Sequence, residues 1–221
     1  MQPKTLDHVA FWVSDRDSIA GFLTRHLGVH VIDRQETFTL LGADARRFKL
    51  TLFDAEGPRD PGLFGLVALR VNDLPAALAK LPSGSGDVVD AGEGLRIGLV
   101  EAPTEVDYDL DHVQLLSSDP ASTAAEYERY GFRNAGGGRV EVGGAWLELA
   151  AGGAGGPGDR PLLNHIAVLV DSAGDAVADA EELGIEVESV VDAPNTYAAF
   201  LAGPEGVRIE YVEHKPTFSL R

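Results

Sequence analysis

A short apolar run carrying a histidine returns along the chain as Leu6-Asp7-His8-Val9-Ala10, Leu110-Asp111-His112-Val113-Gln114 and Leu163-Asn164-His165-Ile166-Ala167. A weaker copy, Gly65-Leu66-Val67-Ala68, has Leu66 where the others have histidine. Each run reads as a strand. Seven residues beyond the repeated position stand Asp15, Asp73, Asp119 and Ser172. Their side-chain oxygens can accept from the free backbone N–H groups of a helix start, and Pro120 after Asp119 suits a first helical position. Leu27-Gly28, Tyr130-Gly131 and Leu183-Gly184 place glycine where a helix needs a left-handed residue to end, and Leu81-Pro82 stops the second helix by removing a donor.

Short strand-like runs follow each helix: Val29 to Asp33, Thr37 to Leu41 and Phe48 to Phe53 in the first unit, but only Asp87 to Asp90 and Leu95 to Glu101 in the second. The third offers Arg139 to Val142 and Ala145 to Ala150; the fourth offers Ile185 to Val191, Tyr197 to Leu201 and Val207 to Glu213. A strand, a helix and several strands therefore recur four times, the second unit having lost a strand. Solenoids and propellers seldom mix one helix with three or four strands in this order, so paired modules fit better. The gap Ala102 to Tyr108 divides the chain into 1–104 and 105–221, each expected to be one module pair, and the glycine-rich run 152–161 links units three and four.

Composition narrows the function. With no cysteine, any metal must be held by histidine and carboxylate side chains. A formal charge of −17 without a Lys/Arg cluster argues against nucleic acid and anionic lipid as partners. No long uninterrupted apolar run and no signal-peptide pattern appears at the N-terminus, so no membrane partner and a cytoplasmic location are expected.

The arrangement resembles the vicinal-oxygen-chelate superfamily of glyoxalases, bleomycin-resistance proteins and extradiol dioxygenases. The most specific local likeness is Gly203-Pro204-Glu205-Gly206-Val207-Arg208-Ile209-Glu210-Tyr211, which is similar to that family's closing turn and metal-bearing strand. Gly203 stands where the family usually has aspartate, a departure read here as a lost turn hydrogen bond. The resemblance implies an α+β fold of four βαβββ modules in two paired, half-open barrels. It also implies a divalent ion (Zn, Ni, Co, Mn or Fe) held by first and last strands of a module pair. Carried onto units three and four, the ligands would be His112, Glu148, His165 and Glu210.

Period two supports that placement: Trp146, Glu148 and Ala150 share one strand face, and Arg208 and Glu210 face away from Val207, Ile209 and Tyr211. A carboxylate in an apolar strand is costly if buried unpaired, and a cation would remove that cost. A lone strand histidine is more often hydrogen-bonded or exposed than a ligand; the matched register of four donors raises this set above that default. In the N-terminal half only His8 matches, beside Thr51, Leu66 and Gly98, so that half reads as structural and His8 as a satisfied strand histidine. His26, His30 and His214 read as surface or helix-end residues.

Three functions follow from the resemblance, the first two on a small molecule with adjacent oxygens and the third the binding of a small molecule or antibiotic in the same cleft. The first is a glyoxalase I-type lyase or isomerase, in which Glu148 or Glu210 leaves the metal to carry a proton. The second is an Fe²⁺ extradiol dioxygenase built on His112, His165 and Glu210, although a histidine expected at Glu148 and a tyrosine expected at Phe200 are missing. The third is a non-catalytic binding protein. Trp12, Trp146, Tyr197 and Phe200 are candidate pocket aromatics, Arg208 is assigned to an ion pair, and the chain is expected to be a monomer or homodimer.

Overall fold

The computed structural model describes residues 1–44, 48–153, 156 and 158–218; residues 154, 155 and 157 of the glycine-rich run lie outside the described residues. The first module is β1 (Thr5–Val13), α1 (Arg16–His26), β2 (His30–Arg34), β3 (Phe38–Asp44) and β4 (Phe48–Asp54). The second is β5 (Phe64–Val71), α2 (Leu74–Leu78), β6 (Val88–Asp90) and β7 (Arg96–Glu101), one strand short as the sequence suggests. The third is β8 (Asp109–Ser117), α3 (Pro120–Tyr127), β9 (Arg133–Gly136), β10 (Arg139–Val142) and β11 (Ala145–Ala151). The fourth is β12 (Leu163–Leu169), α4 (Ala173–Glu182), β13 (Val187–Asp192), β14 (Thr196–Ala202) and β15 (Arg208–His214). None of the described helices is long and apolar enough to cross a membrane.

All four expected caps form. Asp15, Asp73, Asp119 and Ser172 accept from the backbone N–H of Ser18, Ala76, Ser122 and Asp175, each three residues on. Gly28, Gly131 and Gly184 take left-handed φ values of 64°, 82° and 66°, which a side chain would resist. The second helix ends at Leu78, before Leu81-Pro82 is reached.

The modules do not pair as neighbours in sequence. One eight-stranded sheet runs β13-β14-β15-β12-β1-β4-β3-β2 and joins modules four and one; a seven-stranded sheet runs β6-β7-β5-β8-β11-β10-β9 and joins modules two and three. The expected pairs 1–104 and 105–221 are corrected accordingly. Each module brings one first strand with a free edge, and the repeat is equally compatible with either way of matching four such edges. The antiparallel contacts β1–β12 and β5–β8 are the match the fold makes.

The sheets are mixed and half-open, with helices and the apolar strand faces forming one core that includes Phe11, Ile19, Leu23, Val67, Leu147, Ile166, Ile209 and Tyr211. Two glutamates tie the sheets together. Glu93, in the turn before β7, accepts from the backbone N–H groups of Ser14 (3.0 Å) and Asp15 (2.7 Å). Glu205, in the turn before β15, accepts from the N–H (3.1 Å) and hydroxyl (2.9 Å) of Ser118. Both have positive φ, 56° and 52°. Module two thus holds the helix entry of module one, and module four that of module three.

Candidate metal centre

The register of the eight-stranded sheet determines what meets on its concave face. Across β1–β12, His8 lies opposite Ala167 and Ala10 opposite His165; across β12–β15, Ala167 lies opposite Glu210; across β1–β4, Ala10 lies opposite Thr51. Directly opposed residues share a face. One row therefore reads His8, Ala167, Glu210, and the next reads Thr51, Ala10, His165. Both alanines are fully buried. Their methyl groups leave the space above the sheet in which longer side chains from the flanking strands converge.

Among the described residues, the metal-ligating side chains that meet are His8, His165 and Glu210. Glu210 Oε2 is 2.9 Å from His165 Nε2 and 3.1 Å from His8 Nε2, and the two Nε2 atoms are 3.0 Å apart. Each imidazole has its other nitrogen occupied: His8 Nδ1 donates to Asp7 Oδ2 (2.9 Å) and His165 Nδ1 to Asn164 Oδ1 (3.0 Å). With Nδ1 carrying the proton, both Nε2 atoms present lone pairs to each other and to the carboxylate. Glu210 Oε2 is buried and close to both rings, yet among the described residues no aligned hydrogen bond reaches it. Three electron-rich atoms at this spacing need positive charge between them.

The donors fit a divalent ion. Donors about 2.1 Å from one ion and at right angles about it stand about 3.0 Å apart, whereas a tetrahedral pair stands about 3.4 Å apart. The observed spacing matches the first, three donors on one face. When no ion is bound, a proton on His8 serves instead. Burial alone would lower its pKa, but the Glu210 and Asp7 carboxylates outweigh burial and push it up to about 9. His165, with burial dominant and a neutral amide behind it, is pushed down; Glu210 is held far below the usual carboxylate range, because the two imidazoles outweigh its burial.

Of the four ligands expected from sequence, His165 and Glu210 meet here; His112 and Glu148 do not. They lie in the seven-stranded sheet, where His112 Nε2 is 3.4 Å from Glu148 Oε2 and Gln114 donates to the same carboxylate oxygen at 2.8 Å. Their partners across that sheet are Leu66 and Gly98, which offer no donor, and the Glu148 side chain is 45% exposed. The catalytic role expected for Glu148 is therefore placed outside the triad. His8, read as a structural histidine, completes the triad; the signal for it was the same repeat, hidden by the assumed pairing. By the same register Thr51 stands where Glu210 stands in module four, so a fourth carboxylate is absent from this position.

A cavity of about 200 Å³ opens on the triad, lined by Phe38, Phe53 and Phe200 together with Thr51, Lys49 and His214. Phe200 and Phe53 flank His165, with ring centroids 5.2 and 6.3 Å away. Phe38, Phe53 and His214 were not among the expected wall residues; His214 belongs to the cavity rather than the surface, its Nε2 3.2 Å from Asp7 Oδ1. Trp146 stacks on His112 in the other sheet, and Trp12 borders a separate cavity of about 170 Å³. Arg208 pairs with Glu188, as expected, and lies over the Phe200 ring.

Residues 5–94 match the model of the Glyoxalase/Bleomycin resistance protein/Dioxygenase superfamily. No curated protein matches the chain. Among solved structures, the fold is similar to that of a "putative dioxygenase" from Bacillus subtilis subsp. subtilis str. 168 (TM-score 0.78, 15% identity, covering 97% of this chain and 86% of that one). It is also similar to glyoxalase I from Zea mays (TM-score 0.74, 17% identity, 95% and 92% covered). The cppA protein of Streptococcus pneumoniae TIGR4 shares it as well (TM-score 0.65, 13% identity, 96% and 98% covered). The match to that superfamily's model is confined to residues 5–94, and along nearly its whole length the chain shares the fold of these structures.

Proposed function

We propose that the protein is a mononuclear metal enzyme of the extradiol dioxygenase type, acting on an aromatic compound that carries two adjacent oxygens. The observation that carries this reading is the donor set: His8, His165 and Glu210 on one face of the site, with Thr51 rather than an acid in the fourth position. Two histidines and one carboxylate with open positions are the donors typical of non-haem Fe²⁺ oxygenases. An ion held there would supply Lewis acidity toward a bound pair of oxygens and positions for a small co-substrate. With one carboxylate instead of two, the protein's ligands leave the centre a net positive charge, which favours a substrate bound as its anion. Phe38, Phe53 and Phe200 offer flat apolar walls to an aromatic ring and exclude water from it.

A glyoxalase I-type isomerase is the second reading. It keeps one specific support: Glu210 is a carboxylate in the triad with an oxygen that makes no hydrogen bond, and it could both ligate and carry a proton. The readings separate by experiment. Protein purified anaerobically and reconstituted with Fe²⁺ is expected to take up dioxygen in the presence of catechols, and His8→Ala is expected to abolish uptake while Glu148→Gln leaves it intact. Uptake that is absent with Fe²⁺, alongside proton exchange or isomerisation of an α-hydroxycarbonyl with Ni²⁺ or Zn²⁺, would establish the second reading instead.

A further inference from the structure

The wall of the cavity holds a fully buried lysine. Lys49 is 1% exposed and Asp7 3% exposed, and Lys49 Nζ donates to Asp7 Oδ1 at 2.7 Å. The other oxygen of Asp7 accepts from His8 Nδ1 at 2.9 Å. His214 Nε2 approaches Oδ1 at 3.2 Å, and Phe218 stacks on His214 and lies 5.4 Å from Lys49 Nζ, covering the group from water. Lysine is seldom buried unless paired, and this one serves neither the core nor the triad directly.

We infer that Asp7 and Lys49 form a buried positioning pair that holds His8 with its Nε2 lone pair aimed at the metal. This rests on the reading of His8, His165 and Glu210 as a metal triad. Asp7 fixes the tautomer and raises the basicity of His8, as an acceptor behind a ligating histidine does in general. Lys49 holds that carboxylate in place through a buried charge-assisted hydrogen bond where water cannot reach. The register supplies the contrast: His165 has neutral Asn164 at the place of Asp7, and position 208, equivalent to 49, is an arginine turned to Glu188. The two imidazoles are thus unequal donors, His8 the stronger.

A similar chain runs from Arg70 through Asp111 to His112 in the seven-stranded sheet, with Arg70 Nε 3.3 Å from Asp111 and His112 Nδ1 2.8 Å from it, where among the described residues no triad converges. A readout that fold stability alone would not move is therefore needed. Titration of the metal-free protein with Co²⁺, followed by its visible absorption, serves. Lys49→Met and Asp7→Asn are each expected to weaken Co²⁺ binding about 10- to 100-fold, the range for lost partners of metal ligands. The double variant Asp7→Asn with Lys49→Met is expected to bind more tightly than Lys49→Met or Asp7→Asn alone but below the wild type, since it removes the stranded charge and rebuilds the Asn164–His165 arrangement yet leaves His8 without its carboxylate. Arg70→Met should leave Co²⁺ affinity unchanged. Should Lys49→Met fail to fold, Lys49→Arg is compared with Lys49→Gln, and only the first should bind Co²⁺ normally. Folded single variants that bind Co²⁺ like the wild type overturn the pair while the triad stands. A wild type that binds no Co²⁺, or a His165→Ala variant that binds it equally well, overturns the triad and the pair together.

Discussion

His8 and Glu148 exchange the roles the sequence suggests for them, and the reason is their neighbours rather than their chemistry. Both are strand residues with a plausible register, but His8 faces Glu210 across a fully buried alanine, whereas Glu148 faces solvent beside Gln114. On the proposed metal reading, the environment of His8 makes its proton compete with the ion. Since Glu210 and Asp7 hold its pKa up to about 9, while burial keeps His165 neutral, one proton must leave on metal binding from the ordinary histidine range up to that value. Affinity for Co²⁺ or Zn²⁺ is expected to rise about tenfold per pH unit between about pH 7 and pH 9 and then level off, measured by competition with a chelator of known affinity. Thr51 makes the other residue-scale prediction: Thr51→Glu adds the carboxylate that module four supplies through Glu210. It should tighten metal binding about tenfold or more and suppress dioxygen uptake in the Fe²⁺ protein, which calorimetry and an oxygen electrode would read. Gly203 also has a local reason of its own. A Cβ there would stand 2.2 Å from the Val207 carbonyl oxygen, so the close turn, and not only a missing hydrogen bond, accounts for glycine.

Helices and strands follow from local chemistry, and most of them are legible in advance. Four capping side chains, three left-handed glycines and alternating burial in β11, where Ala145, Leu147 and Leu149 face the core and Trp146, Glu148 and Ala150 do not, all follow from short-range pattern. What an element contributes to the site depends on its row in the sheet. Ala167 lies in β12 between His8 and Glu210, and its small side chain is why their heads can meet above it. Ala167→Leu should fill that space: overpacking costs about 1–3 kcal/mol, and Co²⁺ binding should be lost while circular dichroism shows the fold retained. If Co²⁺ binding survives in a folded Ala167→Leu protein, the proposed convergence over β12 is wrong. The two positive-φ glutamates were not legible as ties, because only their partners in the adjoining module, Ser14 with Asp15 and Ser117 with Ser118, reveal what Glu93 and Glu205 hold.

At the scale of the molecule, the candidate centre draws on both ends of the chain. His8 comes from the first module and His165 and Glu210 from the fourth, through the β1–β12 contact. Separate expression of 105–221 would leave β12 without β1 and the centre without His8, so that fragment should bind Co²⁺ at least 100-fold more weakly than the full chain, and adding 1–104 in trans should restore binding if the sheets reassemble. A fragment that binds normally would contradict the pairing of modules one and four. By itself the sequence determined the elements, the four-fold repeat, the family likeness and a donor set limited to histidine and carboxylate, because capping, strand alternation and turn chemistry act over a few residues. Only the tertiary structure decided which modules share a sheet, and with that which histidine faces Glu210. Four equivalent strand edges can be matched in more than one way, and the choice rests on contacts between residues more than 150 positions apart, such as Ala10 with His165, that no local pattern encodes.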